Sequence, residues 1–335
     1  MSKKKKNWKK RILPAVVTAV LLASCVLPIM AASDKYTNLL VLGDSISTGY
    51  GLPGDVSTRQ NYSNLLAKKI AADSVKNYAV DGATSSDLLS LLTANAKLLQ
   101  DKDLILMSIG GNDLIGATFE VLNRGLKLNI TSLESLILDL MMVPTETLEA
   151  VFSSQETIAR YASMLEQLSE NLDSIFSAIK HQNDSAKIVI LNQYNPFSGM
   201  GSGTNFRVIE KEMDAVILQL NATIVQASQK AGVEVCDVYK AFDGQGGTYT
   251  RIFSKDIHPN EAGHALICEL LYDLLMAKNP DTGDALPLWT GLMLASAVGV
   301  GFFMRKSKGP AILEQNLGQK EVNVCFSGII LRIDH

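Results

Sequence analysis

Ser45 sits in Val41-Leu42-Gly43-Asp44-Ser45-Ile46-Ser47, between an aspartate and a turn-rich run that ends at Gly51. A serine hydroxyl attacks a carbonyl only when a base takes its proton. An imidazole, which changes charge near neutral pH, suits that task. Glycine, aspartate and serine are also ordinary turn formers, so this segment alone does not separate a nucleophile from a bend. Three further segments carry groups able to join such chemistry. "DGATSSD" (81–87) offers a glycine backbone that a ligand can approach closely. "GGND" (110–113) offers the side-chain amide of Asn112, and "DIHPNEAGH" (256–264) holds two histidines and a carboxylate. Two competing chemistries lack their motifs. "GDSIS" is not a G-x-S-x-G elbow, because Ser47 takes the place of the last glycine. No G-x-G-x-x-G or other phosphate-binding glycine loop opens a helix, so dinucleotide binding is unsupported.

The elements that must position these groups are legible as β-rich apolar runs alternating with longer helical patterns. The runs are 38–43, 75–80, 103–110, 187–194 and 233–238, several apolar almost throughout, as strands buried on both faces are. Ile158, Tyr161, Leu165, Leu168, Leu172, Ile175 and Ile179 share one face at helical spacing, with Ser153–Glu156 offering a capping box in front of them. A last helix is expected over 261–276, capped by Asn260. This alternation predicts an α/β protein: a three-layer α/β/α sandwich around a five-stranded parallel sheet. Sites in such sheets form at the carboxyl ends of the strands, where Ser45, "DGATSSD" and "GGND" all fall. The chain between the third and fourth strands is long enough for a helical insertion over 114–153. Its apolar segment 130–143 reads either as an extra core helix or as a cap over the site lining an acyl channel.

The four blocks in this order resemble the SGNH hydrolases, also called GDSL esterases and lipases, over nearly all of Leu39–Leu274. "YNPF" at 194–197 is similar to the bacterial lysophospholipase-like branch. The resemblance implies the flavodoxin-like fold of that family and catalysis through an acyl-serine, with Ser45 as nucleophile and His258 as base. It assigns the oxyanion hole to the backbone N–H of Ser45, the backbone N–H of Gly82 and the side-chain amide of Asn112. The family usually places its triad aspartate three residues before the histidine; here that position is Lys255, and Asp256 lies two before. Either Asp256 reaches the ring through a bent loop, or a backbone carbonyl orients it and leaves a Ser-His dyad. Asp44 and Asp113 read as acceptors that fix loops, His264 as structural, and His181 as a helix-end residue without a role. No cofactor and no metal site is expected.

The ends concern location. Residues 1–32 have the layout of a signal peptide: a lysine block, an apolar run from Ile12 to Ser24, then small residues. Signal peptidase cleavage near Ala31 or Ala32 competes with a lipobox reading at Cys25. The uncharged stretch Ala285–Met304 is long enough to cross a membrane as a helix and alone reads as a transmembrane anchor; with Asn279-Pro280-Asp281-Thr282-Gly283 before it and the basic Arg305, Lys306 and Lys308 after it, it resembles a Gram-positive sorting signal within 279–308. That resemblance implies sortase cleavage between Thr282 and Gly283 and attachment to peptidoglycan. The tail 309–335 does not fit such a signal. The body between, residues 33–282, has 19 Lys and Arg against 30 Asp and Glu, a formal charge of −11, which argues against nucleic acid as a partner. Its Cys236 and Cys268 read as buried free thiols. The expected function is a secreted, surface-attached ester hydrolase acting on a lipid or an acylated glycan. The alternatives are a wall-glycan or carbohydrate O-deacetylase and a non-catalytic adhesin on a hydrolase scaffold.

Overall fold

The computed structural model describes residues 36–200 and 204–277. The expected signal peptide, Thr282, Gly283, the span 285–304 and the tail lie outside the described residues. Strands β1 (Asn38–Gly43), β2 (Ser74–Asn77), β3 (Leu104–Ser108), β4 (Lys187–Leu191) and β5 (Glu234–Cys236) form one sheet in the order β2-β1-β3-β4-β5. Every neighbouring pair is parallel. Leu39–Leu42 and Leu104–Met107 are inaccessible to solvent, which explains why these strands read as unbroken apolar runs: each side chain meets a helical layer whichever way it points.

The helices are α1 (Ser45–Thr48), α2 (Tyr62–Lys69), α3 (Ser85–Ala94), α4 (Gly111–Leu126), α5 (Leu133–Met142), α6 (Thr145–Phe152), α7 (Gln155–Gln182), α8 (Thr204–Ala231), α9 (Val238–Phe242), α10 (Gly246–Tyr249) and α11 (Glu261–Met276). Two cores separate them. Leu40, Leu42, Ile105 and Met107 face α3, α4, α7 and α8, whereas Leu39, Leu104 and Leu106 face α2, α9 and α11. The period-2 alternation of the strands thus divides one apolar sequence between two layers, giving the expected three-layer sandwich.

Three local expectations are corrected. The second strand stops at Asn77 rather than running to residue 80. The N–H groups of Tyr78 and Val80 still bond to Val41 and Gly43, but the chain climbs out over the carboxyl edge and leaves Val80 exposed. The cap of α7 is Ser154, whose side chain accepts from the Thr157 amide, and not Ser153 paired with Glu156. Ser153 instead ends α6 and bonds back to Glu149. Ile158 does not join the buried face of α7 but is 52% exposed, because it sits in the first turn, ahead of the packed stretch from Tyr161 to Ile179. The last helix spans Glu261–Met276 as expected, with Asn260 accepting from the Gly263 amide. Cys236 and Cys268 are buried free thiols.

Candidate active site

Ser45 is the first residue of α1, immediately past β1. Asp44 caps that helix by accepting from the Ile46 amide and also receives the Ser108 hydroxyl from the end of β3. These bonds leave the N–H of Ser45 as a first-turn donor without a partner inside the helix. Burial pushes the Asp44 carboxyl up to about 6, against the opposing effect of those two hydrogen bonds. Asp44 is therefore a loop-fixing acceptor, held deep beneath the serine.

His258 arrives from the opposite end of the chain. Its Nε2 lies 2.8 Å from Ser45 Oγ, and its Nδ1 lies 2.5 Å from Asp256 Oδ1. The short spacing succeeds because Asp256 forms an Asx turn: the same Oδ1 accepts the backbone N–H of His258 at 3.0 Å, which folds the carboxylate back onto the ring two residues ahead. No backbone carbonyl is needed to orient the imidazole. Burial works to raise the pKa of Asp256, but the bonds from the His258 ring and amide outweigh it and hold the carboxyl below its usual value. A carboxylate on Nδ1 keeps the ring proton there and leaves Nε2 to accept from the serine. Tyr50 packs its ring on the imidazole at 4.7 Å between centroids. The Tyr194 hydroxyl donates to the carbonyl of Ile257, between aspartate and histidine, at 2.8 Å.

The remaining blocks converge on the same place. Gly82 follows β2 with φ +79°, a conformation that favours glycine, and a Cβ there would meet nothing within 4 Å, so its backbone faces open space. Asn112, in the first turn of α4, donates one amide N–H to the Ala83 carbonyl at 3.0 Å, which leaves its second N–H available. Asp113 accepts from both the amide and the hydroxyl of Ser85, at 2.9 and 2.6 Å, and so joins the start of α4 to the start of α3. Among the described residues, neither Ser45 N–H nor Gly82 N–H bonds to another protein group. Ser45, Gly82, Asn112, Asp256 and His258 all line one cavity of about 600 Å³. Beyond the polar end its walls are apolar: Ile115 and Phe119 of α4, Leu136 of α5, Phe197, and Met213 and Ile217 of α8.

His264 is not part of this constellation. It is buried in α11, its Nδ1 accepts the Tyr62 amide at 3.3 Å, and its Nε2 finds no partner among the described residues. Burial drives its pKa down to about 3, so the ring stays neutral. The sequence did not point to Arg251, which touches Asp256, or to the α8 residues of the cavity wall. Their only local signals are a basic residue in a loop and ordinary helical periodicity.

Such geometry can activate a hydroxyl, receive an acyl group and neutralise a developing oxyanion. The model of the GDSL-like lipase/acylhydrolase family matches residues 41–266. The chain is 24% identical over 287 residues to the uncharacterized protein YpmR of Bacillus subtilis (strain 168), a match covering 80% of this chain and 96% of that one. Among solved structures it is similar to an extracellular lipase from Streptomyces rimosus (TM-score 0.51, 22% identity, 71% of this chain and 99% of the other). It is also similar to phospholipase A1 from Streptomyces albidoflavus NA297 (TM-score 0.52, 20% identity, again 71% and 99%). At these identities the structural likeness establishes the fold, while the family match spans all four sequence blocks. The chain belongs to the GDSL-like lipase/acylhydrolase family and is an ester hydrolase.

Proposed function

We propose that this protein cleaves esters of long apolar acyl groups, in the manner of a lipase or lysophospholipase, through an acyl-Ser45 intermediate. The observation that carries this is the cavity: its polar end is Ser45 and His258, and its body runs between α4 and α8 beneath Leu136 of α5. Its volume of about 600 Å³ is that of a site enclosing a whole small ligand, and an acetyl group would leave most of it empty. In this reading α5 is a cap, and its Glu134 lies 3.5 Å from Lys255, another residue of the cavity lining.

Ser45 Oγ attacks the ester carbonyl as its proton passes to His258 Nε2, and Asp256 stabilises the imidazolium that forms. The carbonyl oxygen, now negative, receives the N–H groups of Ser45 and Gly82 and the free N–H of Asn112. The C–O bond to the alcohol breaks, and the alcohol leaves with the proton from His258. Water then attacks the acyl-serine by the same route and releases the acid. No cofactor takes part.

The sequence patterns at residues 1–32 and 279–308 support export by signal peptidase processing and sortase attachment to peptidoglycan of a Gram-positive cell. p-Nitrophenyl esters from acetate to palmitate, assayed beside Ser45→Ala, test the substrate. Activity is expected to rise toward long chains and vanish in the variant; hydrolysis confined to acetate removes the lipase reading in favour of a deacetylase. Recovery of the protein in wall digests tests attachment; intact protein in detergent-extracted membranes overturns it.

A further inference from the structure

Asp256 uses one oxygen, Oδ1, for both bonds to His258, so nothing in the Asx turn itself fixes the second oxygen. Rotation about the Cβ–Cγ bond moves both oxygens together, so a partner on the second oxygen resists the turning that would carry Oδ1 away from the ring. Arg251 meets this second oxygen: its Nε lies 3.2 Å from Asp256 Oδ2. We propose that Arg251 is a positioning residue of the catalytic apparatus, holding the second oxygen of Asp256 and so resisting rotation of the carboxylate away from His258. The inference rests on the serine-hydrolase reading above.

The rest of Arg251 is built into the same loop. Its backbone N–H donates to the His258 carbonyl at 3.0 Å, and its carbonyl accepts the Asp256 amide at 3.3 Å and the Ser254 amide at 2.7 Å. Its main chain is thus bonded to the main chain of both the aspartate and the histidine. The far end of the guanidinium donates through Nη1 to the carbonyl of Gly51. Gly51 lies on the loop that follows Ser45, and a Cβ there would overlap the guanidinium, so the close approach depends on glycine at this position. The Tyr50 amide in turn donates to the Ser45 carbonyl at 3.0 Å. One planar cation therefore spans from the triad carboxylate to the loop bearing the nucleophile. A guanidinium suits this geometry because its donors are rigidly forked, whereas a lysine ammonium is a point charge on a flexible stem.

The test is a mutant cycle on p-nitrophenyl butyrate with the full chain. Arg251→Gln is expected to lower kcat by about ten- to a hundredfold, the scale on which small misplacements of catalytic groups act, with KM changed less than about twofold. Arg251→Lys is expected to lie between the two. In an Asp256→Asn background, Arg251→Gln is expected to change kcat less than about twofold, because the group it positions is gone. An Arg251→Gln enzyme with wild-type kcat overturns the proposal. So does the same fold loss in both backgrounds, which would mark a structural effect not exerted through Asp256. Should Arg251→Gln fail to fold, Arg251→Lys carries the same comparison in both backgrounds. Fluorophosphonate labelling of the wild type, absent in Ser45→Ala, separates this outcome from failure of the hydrolase reading: a labelled, active enzyme indifferent to Arg251 refutes only the clamp.

Discussion

Each polar group of the site has an assigned direction, which sets what its removal costs. Ser45→Ala removes the proposed nucleophile and is expected to lower kcat/KM by at least about 10⁴-fold, read from the ester assay together with loss of fluorophosphonate labelling. Asn112 divides its amide between the Ala83 carbonyl and the cavity. Asn112→Ala is therefore expected to lower kcat by about 10²- to 10³-fold, the usual effect of deleting one oxyanion donor, with KM little changed. An unaffected kcat in that variant would remove Asn112 from the oxyanion hole. Ser45, His258 and Asn112 are legible in the sequence through the order of the four blocks and the family resemblance they carry, not through residue type alone. The reach of Asp256 is not, since whether a carboxylate two residues before a histidine meets its ring depends on a turn.

At the scale of elements, short caps and one insertion hold these residues in place. Thr84 and Asp87 form a reciprocal capping box at the start of α3, just after Gly82. Thr84→Ala is expected to cost about 1 kcal/mol in urea unfolding. The Glu134–Lys255 pair is largely exposed, at 68% and 42%, and belongs to the class of surface ion pairs worth about 0–1 kcal/mol. On the proposed reading of α5 as a cap, burial of Leu136 against the cavity contributes more than this pair to seating the helix. Leu136→Trp narrows the cavity and, on the proposed long-chain reading, is expected to cut palmitate hydrolysis at least about tenfold while sparing acetate; equal losses for both esters would show that α5 does not bound an acyl site. The start of α7 shows how a cap can be misplaced in the sequence. Ser153 and Ser154 both qualify by type, and only the end of α6 at Phe152 makes the second of them the cap.

For the whole molecule, two buried groups set opposing responses to pH. The Asp44 carboxyl is raised from 3.8 to about 6. Between those values the folded chain holds a proton that the unfolded chain has released, so this group's contribution to stability falls as pH rises. His264 is depressed from 6.5 to about 3. Over that range the unfolded chain holds the extra proton, so its contribution falls as pH drops. Each is worth at most a few kcal/mol, about 1.4 per pKa unit, and between pH 4 and 6 they oppose each other. Asp44→Asn should therefore make stability rise more steeply with pH over that range than in the wild type, and His264→Gln should make it rise less steeply. Urea midpoints measured at intervals from pH 4 to 7 check both, and parallel curves would contradict the two assignments.

The class of fold and the chemical inventory were already written in the order of residues. Apolar runs too continuous for a half-exposed strand require helices on both faces, and four punctuated loops in a set order carry a hydroxyl, an open backbone, an amide and an imidazole. Tertiary structure alone decided the couplings between distant segments. It brought Arg251 to Gly51, bonded Asp113 to Ser85, and enclosed the cavity between α4, α5 and α8. The physical reason is range. Periodicity and turn chemistry act over a few residues and are written locally, whereas a side chain's partner across some two hundred positions depends on how whole layers pack.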